Sequence, residues 1–214
     1  MTKSDIDWSL YLVTDRDLAG EKSLEDVVFA AVRGGVTAVQ LREKECTTLE
    51  YISLAKRIKR LLENSPVPLI INDRIDVALA SNADGVHVGQ SDMPYSEARR
   101  IMGPNSIIGL TVETMEQARL AEHTDTDYLG VSTIYATPTK TDTINEWGLK
   151  GLKELRTQTD KPLVAIGGIN SKNAADVIKA GADGIAVVSA ICASSDPESS
   201  AREINAIIAN ARKE

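Results

Sequence analysis

What is scarce in this chain narrows it first. Only two cysteines occur among 214 residues, Cys46 and Cys192, and they stand far apart. That spacing matches no metal-binding motif. Two isolated thiols fit a reducing compartment better than a disulfide framework. No run approaches the ~18 consecutive apolar residues that a membrane-spanning helix needs. The longest, 185–193, has about the length of a buried strand. The opening MTKSDIDWSL lacks the apolar centre of a signal peptide. Basic residues are in deficit: 24 Lys and Arg face 31 Asp and Glu, for a formal charge of −7. This balance argues against a nucleic-acid or anionic-membrane surface, while leaving room for a local cationic cluster that holds a phosphate. The expectation is a soluble, cytoplasmic protein.

What is present is an alternation. Apolar residues make up 43% of the chain, enough for a sizeable core. Short Val/Ile/Leu runs at 10–14, 38–41, 69–71, 85–88, 107–111, 128–131, 163–166 and 185–189 read as strands. Their near-continuous apolar character is that of parallel strands buried on both faces. Helical stripes lie between them: Leu24, Val27, Val28 and Ala31; Leu54, Ile58, Leu61 and Leu62; Ala118 and Ala121; Leu149, Leu152 and Leu155; Ala174, Val177 and Ile178. A last helix from Pro197 carries Ile204, Ile207 and Ile208. Gly34-Gly35, Asp84-Gly85 and Gly181-Ala182-Asp183-Gly184 punctuate the units, with glycine read as a helix cap.

Eight strand–helix units in one stretch of this length predict a single α/β domain over residues 1–214, a (β/α)8 TIM barrel. A doubly wound open sheet is the alternative. It calls for a glycine-rich first turn, and 15–20 reads DRDLAG.

A barrel places its chemistry at the C-terminal ends of its strands. That rule selects Arg42, Glu43 and Lys44 after the second strand, then Asn72 and Asp73, Gln90 and Asp92, and Thr111. The sixth strand is followed by a long Thr-rich loop at 133–142, and Gly167-Gly168 and Val188-Ser189 close the last two units. Asp73 or Asp92 alone reads as a turn or helix cap. As a pair converging on one rim, they call for a cation, and hard oxygen ligands suit Mg²⁺. Arg42, Lys44 and Lys140 beside them supply the charge to hold a diphosphate. On the far side, Gly168 and Ser189 suit a monophosphate bound through backbone N–H groups. His87, inside the fourth strand, is preferentially an interior hydrogen-bonded residue, with a substrate contact as the alternative.

Read together, Gln40-Leu41-Arg42-Glu43-Lys44, Asn72-Asp73, Gly85-Val86-His87-Val88-Gly89-Gln90 with Asp92, Thr137-x-Thr139-Lys140-x-Asp142 and Ile166-Gly167-Gly168-Ile169 resemble the thiamine-phosphate synthase (thiamine-phosphate pyrophosphorylase) family over nearly the whole chain. The resemblance implies a transferase that joins a hydroxymethylpyrimidine diphosphate to a thiazole phosphate and releases pyrophosphate. It implies that Gln40 to Lys44, Asn72, Thr111 and Lys140 contact the pyrimidine diphosphate, with Arg42, Lys44, Lys140 and Thr111 carrying the catalysis. Thr137, Pro138, Thr139, Gly168, Val188 and Ser189 would hold the thiazole phosphate, and Asp73 and Asp92 the Mg²⁺. It also points to a homodimer. Three departures stand out: Ser132-Thr133 where the family commonly has Gly-Pro, Thr111 for Ser, and Glu113 for His. A thiazole tautomerase relative, a phosphate-sugar isomerase or epimerase, and a non-catalytic phosphate-binding regulator are the rival readings. The tautomerase has no use for a metal–diphosphate half, the isomerase or epimerase needs an acid/base pair but not this basic triad, and the regulator would bind without releasing pyrophosphate.

Overall fold

The computed structural model describes residues 6–137 and 146–213. Eight parallel strands close into a barrel in chain order. They are β1 (Leu10–Val13), β2 (Ala38–Leu41), β3 (Leu69–Asn72), β4 (Gly85–Val88), β5 (Ile107–Val112), β6 (Tyr128–Ser132), β7 (Leu163–Ile166) and β8 (Gly184–Val187). Pairing of Leu10 with Ile185 and of Leu12 with Val187 joins the first strand to the last. The helices are α1 (Arg16–Ala19), α2 (Leu24–Arg33), α3 (Thr48–Leu61), α4 (Ile75–Ser81), α5 (Tyr95–Met102), α6 (Met115–Ala121), α7 (Gly148–Arg156), α8 (Ala174–Lys179), α9 (Ser189–Cys192) and α10 (Pro197–Ala211). The TIM barrel expected from the alternation is the observed architecture.

Alternation along each strand sorts side chains into two cores. Leu10, Leu12, Val39, Leu41, Leu69 and Ile71 face the helices, where they meet the predicted stripes of α2 and α3. Tyr11, Val13, Ala38, Ile70, Tyr128, Val164 and Ala186 face inward and fill the barrel over Trp8. Leu61, Leu149 and Ile207 are the only predicted stripe positions left partly exposed, each at the margin of its helix face.

The residue before each even-numbered strand clips the start of the odd strand before it. Thr37 Oγ1 accepts the Leu10 N–H at 3.0 Å. Asp84, Asp127 and Asp183 do the same for Leu69, Ile108 and Leu163, each at 2.8 Å. These aspartates also meet Lys59, Arg99 and Arg156 at 2.6, 3.0 and 2.8 Å. The repeated Asp-Gly phrase, expected only as a turn after a helix, therefore stitches the N-terminal rim. Its acids are structural and leave the opposite rim for chemistry.

The last strand is shorter than its apolar run. It spans Gly184–Val187, because its partners Leu12 on β1 and Ile166 on β7 supply pairing only that far. Val188 turns out of the sheet and Ser189 opens α9.

Candidate active site

The C-terminal rim surrounds a cavity of about 480 Å³ lined from strands all round the barrel. That volume is in the range of small-molecule sites. Its wall contains Gln40, Arg42, Lys44, Asn72, Asp73, Asp92, Thr111, Thr137, Gly168, Val188 and Ser189.

Two expected positions point elsewhere. Leu41 is wholly buried among the helices, and its carbonyl accepts the Tyr51 hydroxyl at 2.7 Å. Glu43 turns away from the cavity with its side chain only 3% exposed, and its Oε2 accepts Arg16 Nε at 2.8 Å and Nη2 at 2.6 Å. Strand alternation is the reason: if Gln40 and Arg42 face the cavity, Leu41 and Glu43 face away. Pro138, Thr139 and Lys140 lie outside the described residues.

The rim acids are held by short local bonds. The backbone at Asp73 is left-handed, φ 62°, a conformation that is costly for a residue with a Cβ. It is pinned there by its own N–H, which donates to the His87 carbonyl at 2.8 Å. Asp92 Oδ2 accepts the Gly89 N–H at 2.7 Å, which turns the loop after β4 back toward Asp73. Burial, reinforced by a hydrogen bond and charge repulsion from Asp92, pushes the Asp73 carboxyl up to about 6, while Lys44 and Asn72 pull the other way. Two carboxylates this close, one of them holding its proton unusually well, form a site lacking its positive partner.

Among the described residues no group of three or more His, Cys, Asp or Glu could cage a metal. An open pair fits Mg²⁺, which keeps several ligands as water or substrate phosphate. Arg42 and Lys44 stand on the same side of the cavity wall, and the Arg42 N–H is fixed by Thr14 Oγ1 at 3.0 Å.

Across the cavity, Gly167 and Gly168 both have positive φ, 106° and 64°. A Cβ on Gly167 would lie 1.6 Å from Thr133 Oγ1. The pair therefore serves close packing under the β6–α7 loop as well as access for a ligand. That loop is anchored at its described ends, by Thr133 Oγ1 to Tyr135 O at 2.9 Å and by Trp147 N to Thr133 O at 2.9 Å.

The composition of this cavity sets an acid pair and two cations against a glycine turn. A family model described as thiamine monophosphate synthase matches residues 10–191. The chain belongs to this family. A thiamine-phosphate synthase of Albidiferax ferrireducens is 58% identical over 188 residues, covering 88% of this chain and 86% of that protein. One of Chloroflexus aurantiacus is 49% identical over 203 residues, covering 95% and 94%. The solved thiamine phosphate pyrophosphorylase of Pyrococcus furiosus superposes with a TM-score of 0.89 at 39% identity, covering 96% of this chain and 98% of that one.

The rim rule did not select Tyr11 and Tyr128, which line the cavity from within their strands, below the loops. His87 is the interior hydrogen-bonded residue that its place in the fourth strand led one to expect. Tyrosine inside an otherwise aliphatic strand was the available signal, because a buried hydroxyl needs a partner.

Proposed function

We propose that this chain makes thiamine phosphate, the activity of its family, by joining 4-amino-2-methyl-5-(diphosphooxymethyl)pyrimidine to 4-methyl-5-(2-phosphoethyl)thiazole or its carboxylated precursor with release of pyrophosphate. The observation that carries the reading is the facing pair Asp73 and Asp92 beside Arg42 and Lys44 in one cavity. Asp73 and Asp92 would hold Mg²⁺. When bound, the ion offsets the charge of the diphosphate and makes it a better leaving group.

The rest of the work falls to the chain. Arg42 and Lys44, with Lys140, bind the diphosphate oxygens and favour the charge that grows as the C–O bond breaks. Gln40, Asn72 and Thr111 orient the aminopyrimidine, whose ring electrons stabilise the benzylic-type cation left behind. Gly168, Val188 and Ser189, with Thr137 to Thr139, anchor the thiazole phosphate so that the ring nitrogen is held in line with that carbon. No covalent nucleophile is required. The reaction belongs in the cytoplasm, and the assembly is a homodimer, which light scattering would check.

The test is pyrophosphate release on mixing both substrates with and without Mg²⁺. Release that needs both substrates and the ion is expected. Binding of both without release would sink the reading in favour of a non-catalytic phosphate-binding protein.

A further inference from the structure

The cavity floor carries one unbroken hydrogen-bonded chain. Gln40 Nε2 donates to Tyr11 Oη at 3.2 Å. Tyr11 Oη meets Tyr128 Oη at 2.9 Å. Tyr128 Oη meets His87 Nδ1 at 2.8 Å, and His87 Nε2 meets Thr111 Oγ1 at 2.8 Å. Five strands supply one member each, and all five members line the cavity. Space for the rings is built in. A Cβ on Gly109 would lie 2.1 Å from the Tyr128 ring, and one on Gly130 would lie 2.8 Å from His87 Cε1. Trp8 supports the Tyr128 ring from below, centroids 4.3 Å apart.

Such a chain has a direction. Each hydroxyl owns one proton, and neutral imidazole donates from one nitrogen and accepts at the other. With Gln40 donating to Tyr11, the buried Tyr11 O–H keeps a partner only if the order runs from Tyr11 to Tyr128 to His87 Nδ1, and Nε2–H then donates to Thr111. Gln40 keeps its carbonyl and one N–H for a ligand, and Thr111 keeps its O–H. Turning the Gln40 amide over reverses every bond, moves the imidazole proton and leaves Thr111 with lone pairs only. The two ends are therefore coupled, although they sit on different strands.

We infer that this chain is a specificity device: Tyr11, Tyr128 and His87 are positioning residues that lock the Gln40 amide in the sense that accepts an amino group and donates to the adjacent ring nitrogen, so that the site takes a 4-aminopyrimidine and rejects its 4-oxo counterpart. An oxo ring with a protonated ring nitrogen presents the opposite pattern. It fits only if the amide and the whole chain reverse, with Thr111 giving up its donor. Mispaired buried polar groups are costly, which is how hydrogen-bonding sites discriminate strongly.

The inference rests on the proposed coupling reaction. The wild type is therefore assayed first with the aminopyrimidine diphosphate, and absence of pyrophosphate release there removes the reading of function itself. Given release, kcat/KM is compared for the amino and oxo diphosphates in wild type, Tyr128→Phe and Tyr11→Phe. Both variants keep their rings and lose the hydroxyl link. The expected result is an amino-to-oxo preference at least about tenfold lower in each variant, the weight of about one neutral hydrogen bond. The KM for the thiazole phosphate should stay unchanged, and the double variant should lose no more preference than either single one, as members of one chain do. A preference retained in either folded variant, or losses that simply add, would overturn the device. Should Tyr128→Phe fail to fold, Tyr11→Phe alone decides, because it cuts the chain at its Gln40 end.

Discussion

At the scale of single residues, the meeting of Asp73 and Asp92 decides most. Neither acid is placed for stability: one sits on a left-handed backbone and the two carboxylates repel. Asp92→Asn keeps the shape and removes a charge. Pyrophosphate release should fall more than about 100-fold, the scale of losing one preorganised electrostatic contact, while the metal-free melting temperature holds or rises. Burial and then Asp92 raise the Asp73 carboxyl from 3.8 to about 6. The stability gained from protonating it is fully present below about pH 3.8 and is lost as pH rises through about 6. On the proposed reading Mg²⁺ would bind the ionised pair. The ion should therefore raise the melting temperature more at about pH 7.5 than at about pH 5. An equal shift at both would take Asp73 out of the metal site. Lys44 lines the cavity near enough to Asp73 to act on its carboxyl, so on the proposed reading Lys44→Ala should lower kcat with little effect on the KM for the thiazole phosphate.

At the scale of elements, the two rims of the barrel use the same residue type for opposite purposes. Asp127, entering β6, accepts the Ile108 N–H and pairs with Arg99, with side chains only 9% and 13% exposed. Removing it as Asp127→Ala takes one of two carboxylates from Arg99, which keeps Asp125 at 3.2 Å, and leaves an open strand start. Urea unfolding should show a loss of about 1–3 kcal/mol, with kcat per folded molecule unchanged. The element pattern itself was largely legible in sequence. Apolar runs marked the eight strands, and the stripe of Leu24, Val27, Val28 and Ala31 marked the buried face of α2. The four-residue α1 and α9 were not legible. A single turn is too short to show a period; α1 is held by the Asp15 cap on Leu18 N–H at 3.0 Å, and α9 by the burial of Ile191 and Cys192.

At the scale of the whole molecule, closure of β1 on β8 makes the barrel one ring, so local opening is costly. Cys192 is fully buried with Sγ 3.7 Å from the Val13 carbonyl, and Cys46 is partly exposed. A thiol reagent should label Cys46 in the native state and Cys192 only along the global urea transition. Labelling of Cys192 before that transition would show that β1 and α9 open separately. The order of strands and helices, and the set of polar residues at strand ends, were determined by the sequence alone, because a period of two or 3.6 and a turn residue are local properties. Which neighbour each polar residue meets was decided only by the closed barrel. Ring closure set Asp73 against Asp92, turned Glu43 toward Arg16 and away from the cavity, and threaded Gln40, Tyr11, Tyr128, His87 and Thr111 into one line. Those partners lie up to 117 positions apart in sequence, and local propensity carries no information about contacts at that distance.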